Sequence, residues 1–207
     1  TYMTYINGLT HGTRPNPCFY FETLEAVRYA PDIRNVLIIG YGQGSITESI
    51  LSMADSKHVT LVEINSTLLT NLTKMELFSS MLSHPKLKLV VDDCRRFLLR
   101  TDEKYDLILI DPLRTTEAYS NNLYSIEFFQ ALERHLVDDG VLMVWMDEYR
   151  VMRKTIASAF RHVRAYEWLC LASASPFRSN DCRAALFLEQ FSRPVQEKIM
   201  ACRSECL

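Results

Sequence analysis

The 207 residues carry 23 Lys and Arg against 25 Asp and Glu, for a formal net charge of -2, and 48% of them are hydrophobic. So even a balance supplies no basic face for nucleic acid, and no apolar run approaches the ~20 residues of a membrane-spanning helix. Small-molecule or protein partners in the cytoplasm are expected instead, with a membrane involved only if the chain is part of a longer protein. The length suits one sizeable core. A single domain over 1–207 is expected, with a short segment and helix over 1–34, an α/β core over 35–190 and a carboxyl-terminal helix over 191–207.

The chain opens on Thr1 with neither a signal-peptide nor a transit-peptide pattern, so its start reads as trimmed. After an irregular stretch rich in Thr, Asn, Gly and Pro, residues 21–29 have helical spacing and Pro31 ends the helix. Apolar runs then follow at 35–40, 59–63, 87–91, 105–111 and 141–145, the pattern of buried parallel strands. Between them lie helical stretches at 45–53, 66–81, 94–99 and 125–135, and Asp138-Asp139-Gly140 turns the chain into the fifth run. A helix over 148–160 and strands over 163–169 and 183–188 complete a seven-stranded sheet with an antiparallel edge. The fold expected is α/β, doubly wound and mostly parallel, Rossmann-like. The 6 cysteines lack C-x-x-C spacing and the 5 histidines are scattered, so no metal site is expected. Reduced thiols are the default, although Cys202 and Cys206 are close enough in sequence to pair.

Four strand ends carry candidate chemistry. Gly40-Tyr41-Gly42-Gln43-Gly44 lies where the first core strand turns into a helix, and small residues there let a ligand approach the backbone. The spacing is G-x-G-x-G rather than the G-x-G-x-x-G of dinucleotide sites, which argues against NAD; a plain tight turn also uses glycine. Glu63 ends the second strand about 20 residues later, where a carboxylate can accept both ribose hydroxyls, or simply cap the next helix. Asp93 and Cys94 follow the third strand; Asp93 suits an adenine amino group, an N-cap, or both at once. Asp111 ends the fourth strand over the middle of the sheet, as a general base, a holder of a cationic group, or a loop carboxylate bonded to backbone amides. The polar stretch 113–122 after it is long enough for a lid and equally compatible with an ordinary loop.

The ordered set resembles the spermidine synthase family of aminopropyltransferases, on the class I S-adenosylmethionine-dependent methyltransferase fold, and in particular its spermidine synthase-like branch. The resemblance runs over about residues 6–160 and is carried by Ile6-Asn7-Gly8-Leu9-Thr10-His11-Gly12, the glycine loop, Val62-Glu63-Ile64, Asp92-Asp93-Cys94, Asp106-Leu107-Ile108-Leu109-Ile110-Asp111-Pro112 and Asn122-Leu123-Tyr124-Ser125. It implies S-adenosylmethionine or its decarboxylated form as co-substrate, with no metal. The donor site it implies is Gly40, Gly42, Gln43, Gly44, Glu63 with Ile64, and Asp93 with Cys94, while His11 stands where the family has a glutamine near the donor. Asp111 matches the catalytic aspartate that deprotonates the attacking amine. Tyr20 and Glu22, on the family's Tyr-His-Glu segment, and Tyr124 would face the acceptor.

The departures fall on the reacting end. Gln43 replaces the acid of the family's glycine loop, Phe21 replaces a histidine, and Arg114 falls near the second aspartate of the family's Asp-Ser-Ser-Asp-Pro segment. A cation there repels a diamine, since like charges ~4 Å apart cost about 1–4 kcal/mol. Arg114 instead suits a carboxylate, on the acceptor or on intact S-adenosylmethionine. Three readings stay open: aminopropyl transfer to an amine, methyl transfer or cleavage with a non-diamine substrate, and a non-catalytic nucleoside-binding module. The family's β-rich amino-terminal region is nearly absent, so its oligomerisation does not carry over; a homodimer through a sheet edge is left open.

Overall fold

The computed structural model describes residues 2–6, 9–14, 16–110, 120–146 and 150–206. Its centre is a seven-stranded sheet built from β3 (Asn35–Ile39), β4 (His58–Glu63), β5 (Leu87–Val91), β6 (Tyr105–Ile110), β7 (Leu136–Trp145), β8 (His162–Ala165) and β9 (Leu169–Ser173). The order is β5-β4-β3-β6-β7-β9-β8. The first five strands are mutually parallel, while β9 runs antiparallel to both β7 and β8. The fold is therefore α/β and doubly wound, as the run pattern implied. Val36 and Ile38 pack with one apolar cluster and Leu37 and Ile39 with another, so β3 is buried on both faces. That is why these strands read as continuous apolar runs.

The first face is covered by α1 (Pro17–Tyr29), α2 (Ser45–Ser52), α8 (Asp181–Leu188) and α9 (Arg193–Cys206), together with α3 (Ser66–Leu72) and α4 (Glu76–Leu82). The other carries α5 (Cys94–Leu98), α6 (Ile126–Arg134) and α7 (Arg150–Ala159). Helix α1 starts four residues earlier than its periodicity suggested. Pro17 fits the first turn, and the Asn16 side chain accepts a hydrogen bond from the Cys18 N–H at 3.0 Å. No described helix is long and apolar enough to cross a membrane.

Five expectations are corrected. The irregular start contains an antiparallel hairpin, β1 (Tyr2–Ile6) with β2 (Leu9–Arg14). The single helix expected over 66–81 is two: Thr70 and Thr73 hydroxyls bond back to the carbonyls of Ser66 and Thr70, each at 2.9 Å, and only Leu69 of α3 is buried to resist the break. Asp138-Asp139-Gly140 does not precede the fifth strand. It lies inside β7 as a register irregularity, between the pairs Tyr105↔Leu136 and Leu107↔Val141.

The strand expected over 183–188 is helix α8. Asn180 caps it by accepting from the Arg183 N–H at 3.0 Å, and Arg183, Ala184 and Phe187 share its buried side at helical spacing. The seventh strand is β9 instead, and the strand expected over 163–169 is cut at Tyr166, whose N–H turns back to the Leu169 carbonyl at 2.7 Å.

Candidate functional site

The carboxyl ends of β3 and β4 are held together by one side chain. Glu63 Oε2 accepts from the Tyr41 N–H at 2.8 Å and Oε1 accepts from the Asn65 N–H at 2.7 Å. Above them the Gly40 N–H bonds the Val62 carbonyl at 2.9 Å, so the glycine loop is tied to β4 by backbone and by carboxylate. A carboxylate has about four lone-pair positions. Two are used here, and each oxygen keeps capacity for a ligand hydroxyl. Ligand acceptor and loop anchor are thus compatible roles for Glu63, which is buried.

Gly40, Gly42 and Gly44 all take positive φ, at 87°, 55° and 78°. At Gly44 a second constraint applies: an added Cβ would sit 2.4 Å from Tyr41 Oη and 2.6 Å from its Cζ. The Tyr41 ring is buried beneath the loop and meets Phe78 of α4 edge-on, at 6.5 Å between centroids. Gly44→Ala is therefore expected to lose about 2–4 kcal/mol, from left-handed backbone strain plus overpacking; urea unfolding measures it. The spacing of the sequence motifs does not single out Tyr41. A bulky ring inside a glycine loop is the signal that could.

Helix α2 begins directly behind the loop, with Gly44 as its N-cap. The hydroxyls of Ser45 and Thr47 in its first turn are buried and meet no hydrogen-bond partner among the described residues. Gln43 is buried as well.

On the β5 side, Asp93 caps α5: its Oδ1 accepts from the Arg95 and Arg96 N–H groups at 2.9 and 3.1 Å. Those bonds leave Oδ2 with capacity for a ligand amino group. The Asp92 N–H bonds the Glu63 carbonyl at 3.2 Å, which brings this turn next to Glu63. A hydrogen bond from Arg96 holds the Asp92 carboxyl below its ordinary value. Cys94 is buried against Leu37, Ile39 and Val62, and burial, helped by the Asp93 charge, pushes its thiol up to about 12. Burial does the same to Cys170.

Both thiols stay neutral in the fold. Their stabilisation is complete below the ordinary thiol value of 9.0 and is lost as pH climbs toward about 12. Alkylation of the native protein at mildly alkaline pH is expected to spare Cys94 and Cys170 and to label the exposed Cys182, as peptide mass mapping would show.

The other sequence candidates lie on several elements or outside the described residues. Ile64 is 67% exposed, a large apolar side chain left in solvent beside Glu63. Tyr20 and Glu22 are buried on α1, with the Tyr20 ring 4.6 Å from Phe191. Tyr124 precedes α6 and packs against the same cluster as Cys94. His11 lies on β2, its side chain outside the described residues. Asp111, Arg114 and most of the loop over 113–122 are also outside them. Ile110, the last described residue of β6, pairs with Ile39, the residue before Gly40.

A cavity of about 480 Å³ lies at the other end of the sheet, lined by Asn35, His58, Lys86, Lys88, Glu103 and Tyr105 among others. Ligands of open α/β sheets bind at the carboxyl ends of the strands. The polar groups here also satisfy one another: Lys88 and the Tyr105 hydroxyl both bond Glu103, at 3.0 and 2.9 Å. This cavity is not the candidate site.

The fold defines a class, the methyltransferase-like α/β folds. Human methyltransferase-like protein 13, solved in complex with SAH, shares the fold with a TM-score of 0.60 at 14% identity, over 91% of this chain and 89% of that one. A spermidine synthase solved in complex with the transition state analogue AdoDATO is more similar: TM-score 0.75 at 19% identity, over 96% of this chain and 81% of that chain. Residues 21–178 match the spermine/spermidine synthase domain, and the chain belongs to that family. Polyamine aminopropyltransferase 2 of Hyperthermus butylicus is 32% identical over 143 residues, which are 64% of this chain and 47% of that protein. The chain spans half or less of the length of such curated relatives, from 22% to 49%.

Proposed function

We propose that the chain is a sulfonium-dependent transferase that takes decarboxylated S-adenosylmethionine as donor and moves its aminopropyl group to an amine. The observation that carries the reading is the Glu63 carboxylate, held by the Tyr41 and Asn65 N–H groups at the mouth of the glycine loop. Glu63 would accept the ribose hydroxyls, Asp93 Oδ2 the adenine amino group, and the exposed Ile64 side chain would be covered by the adenine ring. The names of the curated relatives, polyamine aminopropyltransferases, support the same assignment. In the reaction the acceptor nitrogen attacks the carbon next to the sulfonium, the carbon–sulfur bond breaks, and a neutral thioether leaves. Asp111 would take the proton that the nitrogen loses, and positioning supplies much of the rate. We place this chemistry in the cytoplasm and in one domain over 1–207.

A second reading follows from Gln43. It is a buried amide where the family resemblance has an acid that holds the donor's amino group. Without that charge, and with Arg114 downstream, the site would accept the carboxylate of intact S-adenosylmethionine, for methyl transfer or cleavage.

Calorimetric titration with both donors, followed by mass analysis of products with and without putrescine, separates the two readings. Tight binding of the decarboxylated donor and a product heavier by an aminopropyl group is the expected result. Exclusive binding of the intact donor overturns aminopropyl transfer, and binding without any product overturns catalysis.

A further inference from the structure

We infer that Cys18 and Cys202 form a redox-active dithiol, a modification site at which a small disulfide oxidises the protein and staples its last helix to its first. Cys18 occupies the first turn of α1 and Cys202 lies in α9, 184 positions away. Their sulfur atoms are 2.8 Å apart. A disulfide bond is ~2.05 Å long, so the two sulfur atoms are less than an ångström from bonding distance, on two helices that pack in one cluster. Cys202 is buried in the apolar cluster with Tyr20, Phe187 and Ile199, and Cys18 packs half-buried against it. The pair therefore combines a half-buried cysteine with a buried one whose sulfur is held against it.

The other cysteines lack this combination. Cys94 and Cys170 are buried, with thiols pushed up to about 12. Cys182 is exposed on α8. Cys206 shares α9 with Cys202, but its sulfur lies outside the described residues. Cys202 thus has a sulfur partner from the far end of the chain, besides the neighbour in sequence, Cys206.

The step balances as ordinary thiol–disulfide exchange. The Cys18 thiolate attacks a low-molecular-weight disulfide such as oxidised glutathione and expels one small thiolate, leaving a mixed disulfide. The Cys202 thiolate then attacks Cys18 Sγ and expels the second. Two protein S–H bonds are lost, one S–S bond forms, and the two protons end on the two small thiols. The protein is oxidised by two electrons and the small disulfide is reduced by two. Because the bridge closes a very long loop, it acts mainly by restricting the unfolded chain. The inference stands on helix packing and is independent of the proposed transferase activity.

The test equilibrates the wild-type chain across a series of glutathione redox buffers, then quenches with acid, alkylates and maps peptides without reduction. The expected result is a protein lighter by two hydrogen atoms, a cross-linked peptide pair containing Cys18 and Cys202, and a melting temperature raised by roughly 5–10 °C. Dithiothreitol should reverse all three. Cys18→Ser and Cys202→Ser should each abolish the cross-link and the rise, while Cys182→Ser keeps both. A bridge mapped to Cys202 and Cys206, or no bridge in the most oxidising buffer, overturns the inference. Because the mapping uses the unmutated chain, it decides the matter even where a variant fails to fold.

Discussion

Replacing Glu63 by Gln is expected to weaken binding of the proposed donor about 100-fold and to lower the unfolding free energy by about 1–3 kcal/mol. The substitution keeps size and shape and changes only hydrogen-bond polarity. In the native site both oxygens accept, Oε2 from the Tyr41 N–H at 2.8 Å and Oε1 from the Asn65 N–H at 2.7 Å. A glutamine has one oxygen and one NH2 group, so either rotamer turns a donor toward a backbone donor. One buried N–H then loses its partner, which accounts for the stability loss.

Two further effects act on the ligand. The ribose hydroxyls lose an ionised acceptor, worth more than a neutral one. The glycine loop also loses its tie to β4 at the Tyr41 N–H, although the bond from the Gly40 N–H to Val62 persists. Glu63→Asp keeps the charge but is one methylene too short to reach both N–H groups, so it should fall between. Calorimetry and urea unfolding read the two effects separately. Unchanged affinity in Glu63→Gln removes the ribose role; unchanged stability removes the anchoring role.

The part of this site legible in the sequence is the part set by local rules. Strands β3, β4 and β6 are buried on both faces, so their apolar runs end where the backbone emerges: the strands end at Ile39, Glu63 and Ile110, each within one residue of the run ends at 40, 63 and 111. Helix α8 reads as a strand because Ala184, Ala185, Leu186, Phe187 and Leu188 form an apolar run short enough for one. Only the Asn180 cap and the burial of Arg183 at helical spacing distinguish it. Arg183 is buried because its guanidinium donates to the carbonyls of Ala30 and Pro31 where α1 ends, at 2.5 and 3.1 Å, a tertiary contact that no local pattern encodes. The same limit hides the Cys18 and Cys202 pair. Tyr41 is hidden differently, since its value lies in the space it denies a Cβ at Gly44.

Asp111→Asn is expected to lower the rate of amine transfer by about 10²- to 10⁴-fold while leaving donor affinity unchanged. The register is consistent with that role, because Ile110, the residue before Asp111 in the chain, pairs with Ile39 at the carboxyl end of β3, where ligands of open α/β sheets bind. The chemistry supplies the magnitude. An alkylamine acceptor is cationic at neutral pH, with a pKa of ~10.4 for a lysine-like amine, and only the neutral form has the lone pair that attacks the carbon.

A carboxylate beside it attracts the cation and receives its proton, whereas the isosteric amide does neither. With Asn at this position the reaction must draw on amine already neutral in solution. The variant's rate should therefore rise about tenfold per pH unit below the amine's pKa, more steeply than that of the unmutated enzyme. A merely structural aspartate would lower the rate at all pH values alike and would alter donor binding or folding as well. The pH profile of single-turnover rates, taken beside the donor titration, distinguishes these outcomes. If turnover with a non-amine substrate survives in Asp111→Asn, proton removal from nitrogen is not the task of this residue, and the Gln43 reading with intact donor takes precedence.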